Sequence, residues 1–173
     1  MPLKIAQLGQ PVLREMAVEV SPELITNPST QSFIDEMIEM MRGAKGVGLA
    51  APQVFTSKRI FIADVLPAER GNERGRTEVF INPKLSELSA EKESGWEGCL
   101  SFLELSVFVP RHKSLRIDYL DREGKPKALK LAGFPARVVQ HEYDHLDGIL
   151  TIDRATTTKN IIKNSEADDA IEY

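Results

Sequence analysis

Two of the three histidines in this 173-residue chain lie four positions apart in QHEYDHLDG, residues 140 to 148, and a glutamate directly follows the first. On a helix, positions i and i+4 share one face about one turn apart, so His141 and His145 can direct their imidazoles at a single ion. Glu142, next to the first histidine but not itself a ligand in this HExxH arrangement, can then reach a water on that ion as general base. The same five residues could fall by chance on an exposed helix. That reading needs both histidines at ligand spacing around a correctly placed glutamate, in a chain with only one other histidine. The other, His112, stands between Arg111 and Lys113 and reads as a solvated residue.

A catalytic metal site needs a third protein donor and an open coordination position. Cys99, in ESGWEGCLSF, is the only thiol in the chain. A thiolate beside two imidazoles is a mixed sulfur and nitrogen donor set that suits zinc or ferrous iron. Lone cysteines are also commonly small buried hydrophobes. A single cysteine excludes an intrachain disulfide, which points to a reducing compartment.

The elements that must carry these residues are legible from periodicity and punctuation. Pro135 suits the first turn of a helix over PARVVQHEYDHLDG, Val138, His141, Glu142 and His145 follow helical spacing, and Gly148 marks the stop. A second helix is expected over NPSTQSFIDEMIEMMRG, with Phe33, Met37, Ile38, Met40 and Met41 at mostly helical spacing, a Ser or Thr cap and Gly43 as its end. Its methionines read as core filling. RIFIADV, EVFINP, LSVFVPR and KSLRIDYLD have strand composition, and the turn DREGK before PKALKLA joins the last pair of a largely antiparallel sheet. LPAERGNERGRT reads as a surface loop, and TTTKNIIKNSEADDAIEY as a frayed helix or disordered.

Length and composition set the frame. The chain is the size of one ordinary domain with one hydrophobic core. A net charge of −4 with both signs interspersed argues against direct nucleic-acid binding. No apolar run approaches membrane-spanning length, and the N-terminal residues look like neither a signal nor a transit peptide. A cytoplasmic protein with no membrane partner is expected.

Three stretches, GVGLAAPQ (46–53), EGCLS (97–101) and QHEYDHLDG (140–148), in that order and at similar separations, resemble the peptide deformylases. The resemblance extends to IAQLGQPVLREMAVEV and GILTIDR and covers roughly residues 3 to 154, which gives a catalytic domain over 1–154 and a polar, acidic tail over 155–173. It implies an α+β fold, with antiparallel strands packed around a central HExxH helix. The implied ligands are Cys99, His141 and His145, holding Fe2+ that Zn2+, Ni2+ or Co2+ can replace. The implied reaction is hydrolysis of the formyl group from the N-terminal formylmethionine of newly made proteins, releasing formate. A metal-activated hydroxide would attack, with Glu142 taking its proton and returning it to the leaving amine. Nascent chains as substrates would bring the protein transiently near the ribosome.

The resemblance also assigns the Gln53 side-chain amide and the Leu100 backbone N–H as donors to the developing oxyanion, and sets the backbone of Gly48 against the peptide. Val47 and Val138 are candidates for the pocket that takes the methionine side chain, and equally for ordinary core residues. Glu97 and Arg111 read as structural charges near the site that pair with one another. The chain departs from the usual pattern at Leu103 and Glu104, where members commonly carry proline and often glycine, so the shape and stiffness of the loop after Cys99 are open. Three other readings compete: an HExxH metallopeptidase, which leaves EGCLS and GVGLAAPQ unexplained; a catalytically silent homologue that binds metal or formylated peptides; and a type 1 copper carrier, which gives Glu142 no role.

Overall fold

The computed structural model describes residues 3–66 and 75–166. In chain order its helices and strands are α1 (Pro22–Ile25), α2 (Pro28–Gly43), β1 (Gly48–Ala50), β2 (Ile60–Leu66), β3 (Arg76–Ser86), β4 (Lys92–Glu97), β5 (Leu105–His112), β6 (Ser114–Leu120), β7 (Pro126–Ala132), α3 (Phe134–Leu146) and β8 (Ile161–Lys163). Every strand pairing is antiparallel: one sheet runs β1-β2-β3-β6-β7 and a smaller one runs β4-β5-β8.

Side-chain alternation in the first sheet explains how a short chain supports two helices. Along β2, Ile60 and Ile62 enter a cluster with Ile34, Met37 and Met41 of α2, while Phe61, Ala63 and Val65 enter another with Ala136, Val139 and Leu146 of α3. β3 divides the same way, with Val79 and Ile81 on the α2 side and Phe80 on the α3 side. A strand covered on both faces loses the polar alternation of a half-exposed one, which is why RIFIADV is nearly continuously apolar. Phe80 stacks on Phe61 and tilts against Tyr119, each with ring centroids 4.5 Å apart. Such pairs add about 0.5–1.5 kcal/mol each beyond the area they bury. A third cluster, with Leu13, Cys99, Phe102, Val107, Val109 and Leu150, lies under the smaller sheet.

The expected strands appear as β2, β3, β5, β6 and β7, and α3 packs against strands of both sheets, so the α+β architecture around a central HExxH helix is as expected. Three local expectations need correction. Asn27, not a Ser or Thr, caps α2: its Oδ1 accepts from Ser29 N at 3.0 Å, because Pro28 already occupies the first turn. Gly43 ends α2 as expected, and the chain leaves it through Lys45 in the left-handed region, at φ 57°. His112 is half-buried, its Nδ1 lying 2.5 Å from Ser89 O, rather than solvated. The segment expected to fray contributes β8, which pairs with β5 through Leu105–Lys163, Ser106–Ile162 and Val107–Ile161. Most of the expected surface loop at LPAERGNERGRT, and the last acidic residues, lie outside the described residues.

Candidate metal centre

α3 presents His141 and His145 on its buried side, and the loop that leaves β4 after Glu97 brings Cys99 to meet them. The Cys99 Sγ lies 3.4 Å from His145 Nε2, which lies 3.2 Å from His141 Nε2. All three donors are buried and mutually within 4.8 Å, the only such cluster among the described residues. Gly148 lets the chain turn sharply behind the helix: its φ is +69°, and a Cβ there would meet Arg14 O at 2.6 Å.

A buried charge network orients the first histidine. His141 Nδ1 lies 3.0 Å from Glu97 Oε2 and 3.3 Å from Thr151 Oγ1. With that proton donated to the carboxylate, Nε2 keeps its lone pair for an ion. Glu97 in turn accepts a two-pronged contact from Arg111, Nε and Nη2 both at 3.0 Å, and a third bond from Arg137 Nη1 at 2.8 Å. Arg111 Nη1 also donates to Asp144 Oδ2 at 2.6 Å, and Asp144 accepts twice from Arg154, at 3.0 and 2.5 Å. The expected pairing of Glu97 with Arg111 is therefore present, inside a larger network that spans β4, β5, α3 and the turn Thr151–Arg154.

Titration follows this geometry. Burial by itself would raise Glu97, but its bond with His141 and the charge of Arg111 hold it well below the usual carboxylate range. Arg111, although buried, is raised further by Glu97 and Asp144 and stays charged. Burial pushes Glu142 up to about 7, against the opposing charge of His141. In the chain without metal, burial also lowers His145, whereas hydrogen bonds to Cys99 and Glu97 overcome it at His141 and raise that residue.

The donor set fits a divalent cation. It supplies one sulfur and two nitrogens from buried positions, with an oriented histidine, and leaves room for a fourth ligand on the cleft side. Glu142 Oε2 and His145 Nδ1 are the buried side-chain polar atoms without a hydrogen-bond partner among the described residues. An unpartnered buried carboxylate oxygen beside such a cluster is placed to take a proton and adds to the fit.

The centre lies in a cleft of about 390 Å³, whose lining includes Val47, Gly48, Gln53, Cys99, Leu100, Val138, His141 and Glu142. These eight, all singled out in the sequence, line one cleft, and His145, outside the lining, lies 3.2 Å from His141 within the donor cluster. Val47 and Val138 serve both readings: they line the cleft and pack on the α3-side core. Gly48 faces Glu142 so closely that a Cβ would lie 2.3 Å from its Oε1. Gln53 is buried and fixed at both ends, Oε1 accepting from Ala50 N at 2.9 Å and Nε2 donating to Ser101 Oγ at 3.2 Å, with Cys99 Sγ 3.5 Å away. Arg137, Asp144, Thr151 and Arg154 were missed in the sequence. Asp144, one turn beyond Gln140 on the same helix, was visible there, but its arginine partners come from other stretches.

A helix-borne histidine pair, a loop cysteine and a buried glutamate facing an apolar cleft define a metallohydrolase centre on an α+β scaffold. The sequence model of the polypeptide deformylase family matches residues 2–160, and the chain belongs to that family. Peptide deformylase 2 of a Nostoc species is 43% identical over 166 residues, 95% of this chain and 92% of that protein. The crystal structure of the class I type b peptide deformylase from Acinetobacter baumannii with Met-Ala-Ser bound has a TM-score of 0.82 at 36% identity, covering 89% of this chain and 98% of that one. That of peptide deformylase from Thermotoga maritima has a TM-score of 0.81 at 40% identity, covering 91% and 99%. The protein is therefore an amidohydrolase of the deformylase type with a metal-dependent family chemistry. The metallopeptidase and copper-carrier readings fall with this membership, and relatives named as deformylases along the chain's length do not favour the silent homologue.

Proposed function

We propose that the protein removes the formyl group from formylmethionine at the start of nascent chains, using Cys99, His141 and His145 to hold Fe2+, for which Zn2+, Ni2+ or Co2+ can substitute. One observation carries the assignment of roles: the Glu142 carboxyl is buried, has an oxygen without a partner, and faces both the ligand cluster and Gly48 of β1. β1 is an edge strand of its sheet, so its free side can pair with an extended peptide. The Met-Ala-Ser complex of the Acinetobacter baumannii protein supports a peptide in this cleft.

A bound divalent cation supplies Lewis acidity, polarising the formyl oxygen and making a water acidic near neutral pH. Glu142 accepts the proton of the attacking water and delivers it to the leaving amine, so the amide becomes formate and a free N-terminus. The Gln53 amide, its orientation set by Ala50 N and Ser101 Oγ, donates to the oxygen that gains charge, together with the Leu100 backbone N–H. Loss of one such donor typically costs about 10²–10³ in rate. Val47 and Val138 take the methionine side chain, and the backbone of Gly48 holds the peptide. These residues fall within the 1–154 catalytic domain, and the segment 155–173 is accessory to it. The site of action is the cytoplasm, transiently near the ribosome, and no helix among the described residues is long and apolar enough to cross a membrane.

Formate release from formyl-Met-Ala-Ser by protein prepared anaerobically with iron tests this reading. Turnover that falls when zinc replaces iron or air is admitted supports ferrous iron. No release from demonstrably iron-loaded protein contradicts the proposal.

A further inference from the structure

The loop between Cys99 and β5 forms one rim of the cleft. Leu103, 56% exposed, and Phe134, 41% exposed, are the large apolar side chains among the described residues that both line the cleft and face solvent. Val47 is half-buried and Val138 buried, so the exposed pair lies at the mouth of the cleft. Apolar side chains held at such a mouth form contact area for a substrate.

What fixes Leu103 comes from the far end of the described chain. The Asn164 side-chain amide donates through Nδ2 to Leu103 O, Asn164 N donates to Glu104 O at 2.9 Å, and Asn164 Oδ1 accepts from Ser106 Oγ at 2.6 Å. Asn164 directly follows β8, whose pairing with β5 sets its register against the loop. Ile161 of the same strand packs on the cluster that contains Cys99 and Phe102. One asparagine therefore holds two successive residues of the rim loop, Leu103 and Glu104, together with Ser106 of β5, and the strand just before it packs on the cluster that contains Cys99.

We propose that Asn164 is a positioning residue that holds Leu103 as an apolar lip, and that this lip gives the enzyme a preference for apolar side chains in the residues after formylmethionine. The inference rests on the deformylase reading and adds to it a determinant outside the 1–154 segment. Asn164→Asp isolates the effect, since it keeps the acceptor for Ser106 and the backbone bond to Glu104 while removing the donor to Leu103 O.

The test compares kcat and KM for formyl-Met-Leu-Leu and formyl-Met-Ser-Ser in the metal-loaded wild type, Leu103→Ala, Asn164→Asp and the double variant, with metal content and Tm measured on each. Wild type is expected to prefer the leucine peptide. Leu103→Ala should reduce that preference about tenfold, the low end for one apolar contact, with the loss falling on KM. Asn164→Asp should reproduce the same KM-weighted loss, and the double variant should lose no more than Leu103→Ala alone. Should Asn164→Asp fail to fold, Ser106→Ala loosens the same amide and should give a smaller loss in the same direction. Equal losses on both peptides, multiplicative effects in the double variant, or no wild-type preference would overturn the inference while leaving the deformylase reading intact. Absence of formate from both peptides would overturn both readings.

Discussion

Glu97 Oε2 and His141 Nδ1 lie 3.0 Å apart, and this contact joins the candidate metal centre to a network of two buried carboxylates and three guanidiniums, of which Arg111 is buried and Arg154 reaches the surface. An Nδ1–H donated to this carboxylate would leave Nε2 for an ion. Partners of this kind typically contribute 10–100-fold to metal affinity. Glu97→Gln keeps the shape and removes the charge, so metal affinity measured by chelator competition should fall about 10–100-fold. Unchanged affinity would mean the contact does not orient the ligand.

Arg111 bridges Glu97 and Asp144 with its side chain only 5% exposed. Replacing it by leucine leaves two buried carboxylates short of their main partner, which should lower the unfolding free energy by about 3–5 kcal/mol. Arg14→Ala breaks an exposed pair with Asp153 and should cost about 1 kcal/mol or less. Similar denaturation midpoints for the two variants would contradict the network's structural role.

Gly48 has no room for a side chain, since a Cβ would press on the Glu142 carboxylate. Gly48→Ala should therefore retain metal and fold but displace Glu142, the proposed general base, lowering kcat about 100-fold, the scale of a misplacement of about 1 Å. Wild-type turnover with the metal retained would remove Glu142 from this contact during the reaction.

The raised Glu142 predicts a pH dependence in the metal-free protein. Its folded value of about 7 exceeds the ordinary 4.5, so between those values the native state keeps a proton that the unfolded chain releases. Stability then declines as pH rises through that window, with the full penalty above about 7 and none well below 4.5. Metal-free Glu142→Gln should consequently melt at higher temperature than metal-free wild type at about pH 8, with the difference closing toward about pH 4. A difference independent of pH would contradict this account.

The two histidines of the candidate cluster and the glutamate beside them were legible because HExxH spacing encodes its geometry locally, on one helix face. Cys99 was legible as the sole thiol, yet only the fold brings it 3.4 Å from His145, across 46 positions of sequence. Arg137, Asp144 and Arg154 were not, since an arginine's partner depends on which strands and turns meet. β4, with its charged KESGWE stretch, and β8, within a polar tail, escaped notice because their pairing with β5 outweighs weak intrinsic strand preference. His112 looked solvated from its charged neighbours, but strand alternation turns it toward Ser89.

The central claim is that Glu142 moves the proton while Cys99, His141 and His145 hold the metal. It is tested most directly by formate release from formyl-Met-Ala-Ser, with bound metal quantified in the same samples of wild type, Glu142→Ala and Cys99→Ser. The account predicts that Glu142→Ala keeps its metal and loses most turnover, whereas Cys99→Ser loses metal as well. Full turnover by metal-loaded Glu142→Ala would contradict the mechanism, and undiminished metal in Cys99→Ser would contradict the ligand set.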